Sequence, residues 1–156
     1  MIRGVGMTDV MTKKERSLNM SMIKGTNTTP EIMIRMALRA KGVRRYRVAY
    51  SLQGRPDLVF VREKLAVFVD GCFWHKCPEC YREPKTNTAF WKNKIDNNAK
   101  RDTKNNSVLR MNGWVVIRIW EHEIRSDPFL VADRIISELT RLRSLLKVKY
   151  PHKRLL

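Results

Sequence analysis

The sequence predicts an α/β domain, a mixed β-sheet flanked by helices. Three observations carry that expectation. Asp57–Val61 and Leu65–Val69 are short apolar runs on either side of Arg62-Glu63-Lys64, which reads as a β-hairpin with a mostly buried second arm. Trp114–Trp120 reads as a continuous apolar strand reached through a long helix, and that passage makes it a candidate parallel neighbour of the hairpin. Helical patterns precede and follow these strands, as a sheet packed by helices requires.

Taken in order, residues 1–11 show no periodicity and are expected to be mobile. Residues 12–24 suit a short basic helix anchored by Met20, Met22 and Ile23, and Asn27–Thr29 a loop. Thr29 as cap, Pro30 at the first helical position and Glu31 in the first turn then open a helix with Ile32, Ile34, Met36 and Leu38 as apolar anchors. Gly42 stops it. Val43–Ala49 alternates basic with aromatic or apolar residues, a further strand, until Gln53-Gly54-Arg55-Pro56 interrupts. Residues 71–86 read as an irregular loop, and Thr88–Met111 as a basic helix ended by Asn112-Gly113. Asp127-Pro128 starts the last helix, whose Leu130, Val131, Ile135, Ile136, Leu139 and Leu142 give an apolar stripe. One domain over residues 12–146 is expected, between a flexible start at 1–11 and a loose basic tail at 147–156.

A chain of 156 residues is long enough for one real core. No apolar run approaches the roughly 20 residues that cross a bilayer. Met1–Met11 also lacks the apolar centre of a secretory signal, so a cytoplasmic location is expected. The 32 Lys and Arg outnumber the 15 Asp and Glu, leaving +17, and such a chain is drawn to polyanions. Nucleic acid comes first, through phosphate contacts and counterion release. An anionic membrane fits less well, for want of a basic helix with a strongly apolar face.

Cys72, Cys77 and Cys80 are the three cysteines, and all lie within nine residues. An odd, clustered set points to metal more than to disulfides. A structural zinc wants four N or S ligands in a tetrahedron. His122, just past the Trp114 strand, is the best fourth ligand; the nearer His75 has other work to do.

Pro56-Asp57 opens a buried strand in a basic protein, where a carboxylate can hold a hard cation such as Mg²⁺. The acid-x-Lys triplet usual on the next strand of many nucleases is missing, because Val67-Phe68-Val69-Asp70 has no Lys two residues on. By itself Pro-Asp suits a turn. The neighbouring Gly71-Cys72-Phe73-Trp74-His75 changes the weighting. His75 can deprotonate water or stabilise a pentavalent phosphate. Phe73 and Trp74 are either core or wedges between bases.

The runs Gly54-Arg55-Pro56-Asp57, Val69-Asp70-Gly71-Cys72-Phe73-Trp74-His75, Phe90-Trp91-Lys92-Asn93-Lys94-Ile95 and Lys100-Arg101-Asp102 follow in that order. With Arg16-Ser17-Leu18-Asn19-Met20 and Gly113-Trp114…Ile119-Trp120-Glu121 they resemble the very-short-patch-repair (Vsr) DNA mismatch endonucleases from about Arg16 to about Glu121. The resemblance implies a fold similar to type II restriction endonucleases. It implies nicking on the 5′ side of thymine in a T:G mismatch, the product of 5-methylcytosine deamination. By the match, Asp57 and the Val69 carbonyl would hold Mg²⁺, and His75 would activate water. Glu31 and Asp102 would support the metal–water network. Phe73, Trp74 and Trp91 would enter the stack from the major groove, with Asn19 and Met20 pressing from the minor groove. Lys94 and Asn98 would face bases near the mismatch. Asp70 stands where many family sequences carry His and is a candidate catalytic or metal-binding group. The zinc set would be Cys72, Cys77, Cys80 and His122.

The resemblance further implies double-stranded DNA as partner, nucleoid association when bound to it, and functional links to a cytosine-5 methyltransferase and a repair polymerase. A monomer is expected, since one nick needs one active site. Without the resemblance, two alternatives stand: another restriction-like or junction-cleaving nuclease, and a non-catalytic zinc-containing DNA-binding module.

Overall fold

The structure is a computed structural model that describes Leu18 and residues 25–149. The expectations for residues 1–11, for the helix over 12–24 other than Leu18, for Asn19 and Met20, and for the tail beyond 149 lie outside the described residues.

Helix α1 (Thr29–Ala40) starts one residue earlier than expected, with Thr28 as its cap. Only position 28 has a Glu three residues on, as a capping box needs. The Glu31 carboxylate receives the Thr28 N–H at 3.2 Å and the Asn27 N–H at 2.9 Å. Gly42, at φ +81°, ends the helix as expected. The expected anchors hold only in part. Ile34 and Leu38 are buried, but Ile32 and Met36 are 42% and 64% exposed. A helical face recurs every three to four residues, so Ala37 completes the stripe instead.

The strand expected over Val43–Ala49 does not form. Arg47 alone pairs, with Val59, through reciprocal bonds of 2.8 and 2.9 Å. Arg44, Arg45 and Val48 are exposed, and Ala49 at φ +53° turns the chain away. Alternating arginines gave the segment a strand pattern but little apolar surface to bury.

The hairpin is present as β1 (Leu58–Phe60) and β2 (Leu65–Asp70), paired antiparallel from Leu58↔Val67 to Phe60↔Leu65. Strand β1 is shorter than expected, which leaves Asp57 and Val61 outside its ends. Helix α2 (Thr88–Met111) crosses to β3 (Val115–Trp120), which runs parallel to β2 in register from Leu65↔Val115 to Asp70↔Trp120. The sheet order is β1-β2-β3. A short helix α3 (Glu121–Ser126), not anticipated, precedes α4 (Pro128–Lys149). Asp127 caps α4 by accepting the Phe129 and Leu130 N–H groups, each at 2.9 Å. Leu130 is 67% exposed and does not share the buried stripe of Val131, Ile135, Leu139 and Leu142. Helix α4 carries on to Lys149, past the point where the sequence was expected to loosen.

Period-two alternation sorts the sheet into two faces. Leu65 and Val67 of β2 and Ile119 of β3 join the core built with Ile34, Leu38, Ile135 and Leu139 from α1 and α4. The opposite face carries Ala66 and Phe68 with Val116, and packs on Leu109 of α2. By the same alternation Asp70, Arg118 and Trp120 belong to the α2 face. Two polar side chains at the carboxyl ends of neighbouring strands therefore meet the middle of a basic helix. Among the described residues, no helix is long and apolar enough to cross a membrane.

Candidate active site and metal centre

The strand register builds a cysteine–histidine cluster. Asp70 and Trp120 are Cα partners at the ends of parallel strands, so two residues further along each chain Cys72 and His122 stand side by side. Their Sγ and Nδ1 atoms are 3.2 Å apart, and Cys77 Sγ lies 3.6 Å from the same nitrogen. The loop closes by backbone bonds from Cys77 N–H to the Cys72 carbonyl and from Tyr81 N–H to the Cys77 carbonyl, at 2.9 and 3.0 Å. Cys80 completes the group, and all the potential ligand atoms fall within 4.8 Å of one another. A tetrahedron with Zn–S of about 2.3 Å has S···S edges of roughly 3.8 Å, so the cluster matches that size. Burial pushes the Cys72 thiol up to about 12, with the neighbouring thiols adding to the shift. Three thiols crowded against an imidazole, two of them buried and Cys80 at the surface, are poor company without a cation, and fit a metal ion well. The four residues named from sequence are brought together here, and the ion is assigned below.

Asp57 occupies the turn before β1. Its N–H donates to the Val67 carbonyl at 2.9 Å and its Oδ2 receives the Val69 N–H at 2.7 Å. A strand residue's N–H and C=O leave on the same side, so the Val69 carbonyl also faces the open end of β1 beside Asp57. Burial pushes the Asp57 carboxyl up to about 6, against the Val69 hydrogen bond and with the help of the charges on Glu31 and Asp70. An ionised Asp57 is therefore costly in the metal-free protein, and a hard cation relieves that cost. Glu31 has a second occupation: besides its charge effect on Asp57, its carboxylate holds the cap of α1 through Asn27 and Thr28.

The loop before Asp57 is tied to α2. Gln53 Nε2 donates to Asn105 Oδ1 at 2.8 Å, and Gly54 sits at φ +78°. A Cβ on Gly54 would stand 3.0 Å from Asn105 Nδ2, so both the conformation and the space require glycine. Gly54→Ala is expected to lower stability by about 1–3 kcal/mol in chemical denaturation. A neutral result would mean that this loop is not held against α2.

His75 is placed by the turn that follows β2. Its N–H reaches the Gly71 carbonyl at 3.1 Å, and its Nδ1 lies 2.5 Å from Asp102 Oδ2 on α2. That contact orients the ring, and among the described residues Nε2 takes no hydrogen bond. Asp70 is buried, 2% exposed, and its two oxygens meet Arg118 Nε and Nη2 at 2.5 and 2.6 Å. Held in this fork, it is poorly placed to act as an additional metal ligand. Arg118 was not singled out from the sequence, although a lone arginine inside Trp114–Trp120 is the signal that marks it.

The aromatic residues form one cluster beside these groups. Phe73 lies edge-on to Trp74 and to Trp91, with centroids 5.2 and 5.4 Å apart. Phe90, which is 59% exposed, packs on Trp91 at 5.3 Å, and Tyr81 flanks Phe73 at 6.2 Å. Neither Phe90 nor Tyr81 had been assigned a role. Lys94 Nζ sits 5.3 Å from the Trp74 centroid and 5.5 Å from that of Trp91. Asn98 is turned inward instead of toward open space. Its amide donates to the Trp74 carbonyl at 3.1 Å, and its oxygen receives Arg101 Nη2 at 3.1 Å. Gly71 lets Trp74 lie close, since a Cβ there would be 3.1 Å from the indole.

Asp57, Glu31, Asp70, His75, Asp102 and Trp74 line one cleft of about 1450 Å³ with Lys94, Arg101, Lys104 and Arg118. That is larger than an ordinary small-molecule pocket. A cleft that joins buried carboxylates and an oriented imidazole to a basic helix, with Trp74 of the aromatic cluster at its wall, is the kind expected of a DNA-cutting enzyme.

The comparisons with known proteins agree. A sequence model described as DNA mismatch endonuclease Vsr matches residues 8–82. The type II nicking enzyme V.NaeI of Lentzea aerocolonigenes is 43% identical over 118 residues, covering 72% of this chain and 70% of that protein. V.NmeAIP of Neisseria meningitidis serogroup A, also a type II nicking enzyme, is 39% identical over 122 residues, with 77% and 86% covered. The DNA mismatch endonuclease Vsr of Escherichia coli K12 is 37% identical over 136 residues, with 85% and 86% covered. The protein is a DNA endonuclease. It belongs to the Vsr family.

Proposed function

We propose that this protein nicks double-stranded DNA on the 5′ side of the thymine in a T:G mismatch, the first step of very short patch repair, with a Mg²⁺-dependent centre on a restriction-endonuclease-like sheet. The observation that carries this reading is the shared cleft, in which Asp57 and the His75–Asp102 pair stand beside Trp74, part of a half-buried aromatic cluster. The name of the Escherichia coli relative supports mismatched DNA as the substrate.

Lys94, Arg101 and Lys104 face the cleft from α2 and draw in the phosphate backbone. Phe73, Trp74 and Trp91 enter the stack at the mismatch, with Lys94 above the Trp74 and Trp91 rings, and Asn98 braces the loop from behind. Asn19 and Met20 act from the minor groove. A mispaired step opens at lower cost than a matched one, so deformability supplies part of the selectivity. Asp57 and the Val69 carbonyl are the ligands for Mg²⁺, with Glu31 at the edge of the same acidic group. Mg²⁺ bound there supplies positive charge for the phosphate in the transition state. His75 gives its Nδ1–H to Asp102 and keeps Nε2 as the acceptor for a proton of the attacking water. The products are a 5′-phosphate and a 3′-hydroxyl, the end that a repair polymerase extends. Zinc is the ion for Cys72, Cys77, Cys80 and His122, where it fixes the loop that carries Phe73, Trp74 and His75. A single chain holds every group in this scheme. A cytosine-5 methyltransferase is the functional partner, because deamination of its product creates the mismatch.

The aromatic step is open to test. Opening a stacked base step costs a few kcal/mol, which the inserted rings offset. The Phe73→Ala/Trp74→Ala variant is expected to bind T:G and T:A duplexes within about threefold of each other by fluorescence anisotropy, while the wild type prefers T:G by tenfold or more. An unchanged preference in the variant would remove the wedge from the scheme.

A further inference from the structure

We propose that Arg118 is a positioning residue of the nicking reaction: it takes Asp70 out of competition for His75 and holds Asp102 against the imidazole. The proposal rests on the nicking function above and assigns a residue that the family motifs in this sequence do not include. Alternation along β3 turns Arg118 toward α2, and its Cα partner is Phe68, whose ring centroid lies 4.8 Å from the guanidinium carbon. Each guanidinium nitrogen is committed. Nε and Nη2 take the two oxygens of Asp70, and Nη1 reaches Asn106 Oδ1 at 3.3 Å. Nη2 also lies 3.3 Å from Asp102 Oδ2, the oxygen that meets His75.

The competition is visible in the distances. His75 Nδ1 is 2.5 Å from Asp102 Oδ2 and 3.8 Å from Asp70 Oδ1. Two carboxylates from two elements therefore approach one ring nitrogen. Were Asp70 free, the ring could swing between them, and Nε2 would move with it. Arg118 neutralises one carboxylate and steadies the other, which leaves a single orientation. Lysine cannot do this, because one ammonium on a flexible stem does not reproduce a planar fork. A buried ion pair that served the fold alone would have no need to reach Asp102.

Arg118→Met alone is ambiguous, since it strands Asp70 in the interior without a partner. The informative variants are Asp70→Asn/Arg118→Met, which removes both buried charges, and Arg118→Lys, which keeps the positive charge. Nicking of a T:G duplex is measured under single-turnover and steady-state conditions beside thermal melting. Both variants are expected to melt within a few degrees of wild type, to keep KM within about threefold, and to lose tenfold or more in kcat. In ¹⁵N spectra the His75 ring should pass from one tautomer, with the proton on Nδ1, to a mixture. Wild-type kcat in either variant would overturn the proposal and show that the Arg118 fork on Asp70 and Asp102 is not needed to place His75. Failure of the wild-type protein itself to nick would instead overturn the function on which the proposal rests.

Discussion

Asp57→Asn is expected to reduce nicking of a T:G duplex by a factor of about 10³ or more while leaving mismatch binding within a few fold and making the metal-free protein more stable. In the proposed scheme, loss of the Asp57 carboxylate would remove the charge that holds the catalytic cation, a transition-state effect worth several kcal/mol. The stability change follows from burial. The Asp57 carboxyl is raised from 3.8 to about 6, so its charged form is disfavoured in the folded chain. The sign is fixed by linkage. The penalty is absent below the unfolded value near 3.8, grows as pH rises, and is complete above about 6. At about 1.36 kcal/mol per unit, it amounts to no more than roughly 3 kcal/mol at neutral pH. An amide carries no such charge, and its oxygen still accepts the Val69 N–H. Other groups titrate alike in both proteins and cancel. The variant should therefore outlast wild type in urea at pH 7.5 in Mg²⁺-free buffer, and the two should converge near pH 4. Equal stability at both values would mean that Asp57 is not strained by its burial.

Stripping the cysteine cluster of its metal is expected to have an effect of similar size by a different route. The loop from Cys72 to Tyr81 has no regular secondary structure, and beyond the packing of Phe73, Trp74 and Tyr81 its folding is expected to depend on an ion at the cysteine cluster. A structural zinc contributes folding free energy directly. Cys77→Ser should release about one zinc per chain, lower the melting temperature on the order of 10 °C, and cut nicking at least 100-fold. The activity falls because Phe73, Trp74 and His75 ride on the same loop. Co²⁺ in place of the native ion should show thiolate charge-transfer bands. Cys80→His should keep the metal, since zinc accepts either ligand at one corner. A metal-free protein with unchanged melting would rule out the structural role.

Much of this arrangement is legible in the sequence because local chemistry and tertiary position coincide. The hairpin, the crossover helix and the apolar strand that follow one another announce themselves by period, and their parallel register then brings Cys72 to His122 without further information. The misreadings share a cause. Val43–Ala49 has the alternation of a strand, but its arginines stay in water and only Arg47 pairs. Helix α3 is six residues long with Ile124 alone buried, too little for a periodic signal. The anchors assigned to α1 were spaced by two, and the helix buries every third or fourth residue. Arg118 escaped notice because an apolar strand is read by its majority. Its partners come from β2 and α2, 48 and 16 positions earlier in the chain, and no local pattern joins them. Glu31 shows the converse, a residue with an evident helix-cap role whose nearness to Asp57 appears only in three dimensions.

The central claim is a Mg²⁺-dependent nick directed by a mismatch, and the most direct test is an end-labelled duplex carrying one T:G pair beside its matched T:A twin, each incubated with and without Mg²⁺ and mapped on a denaturing gel. The account predicts one cut, on the 5′ side of the mismatched thymine, in the T:G duplex with Mg²⁺ only. Equal cutting of both duplexes, or binding without cutting under every condition, would contradict it.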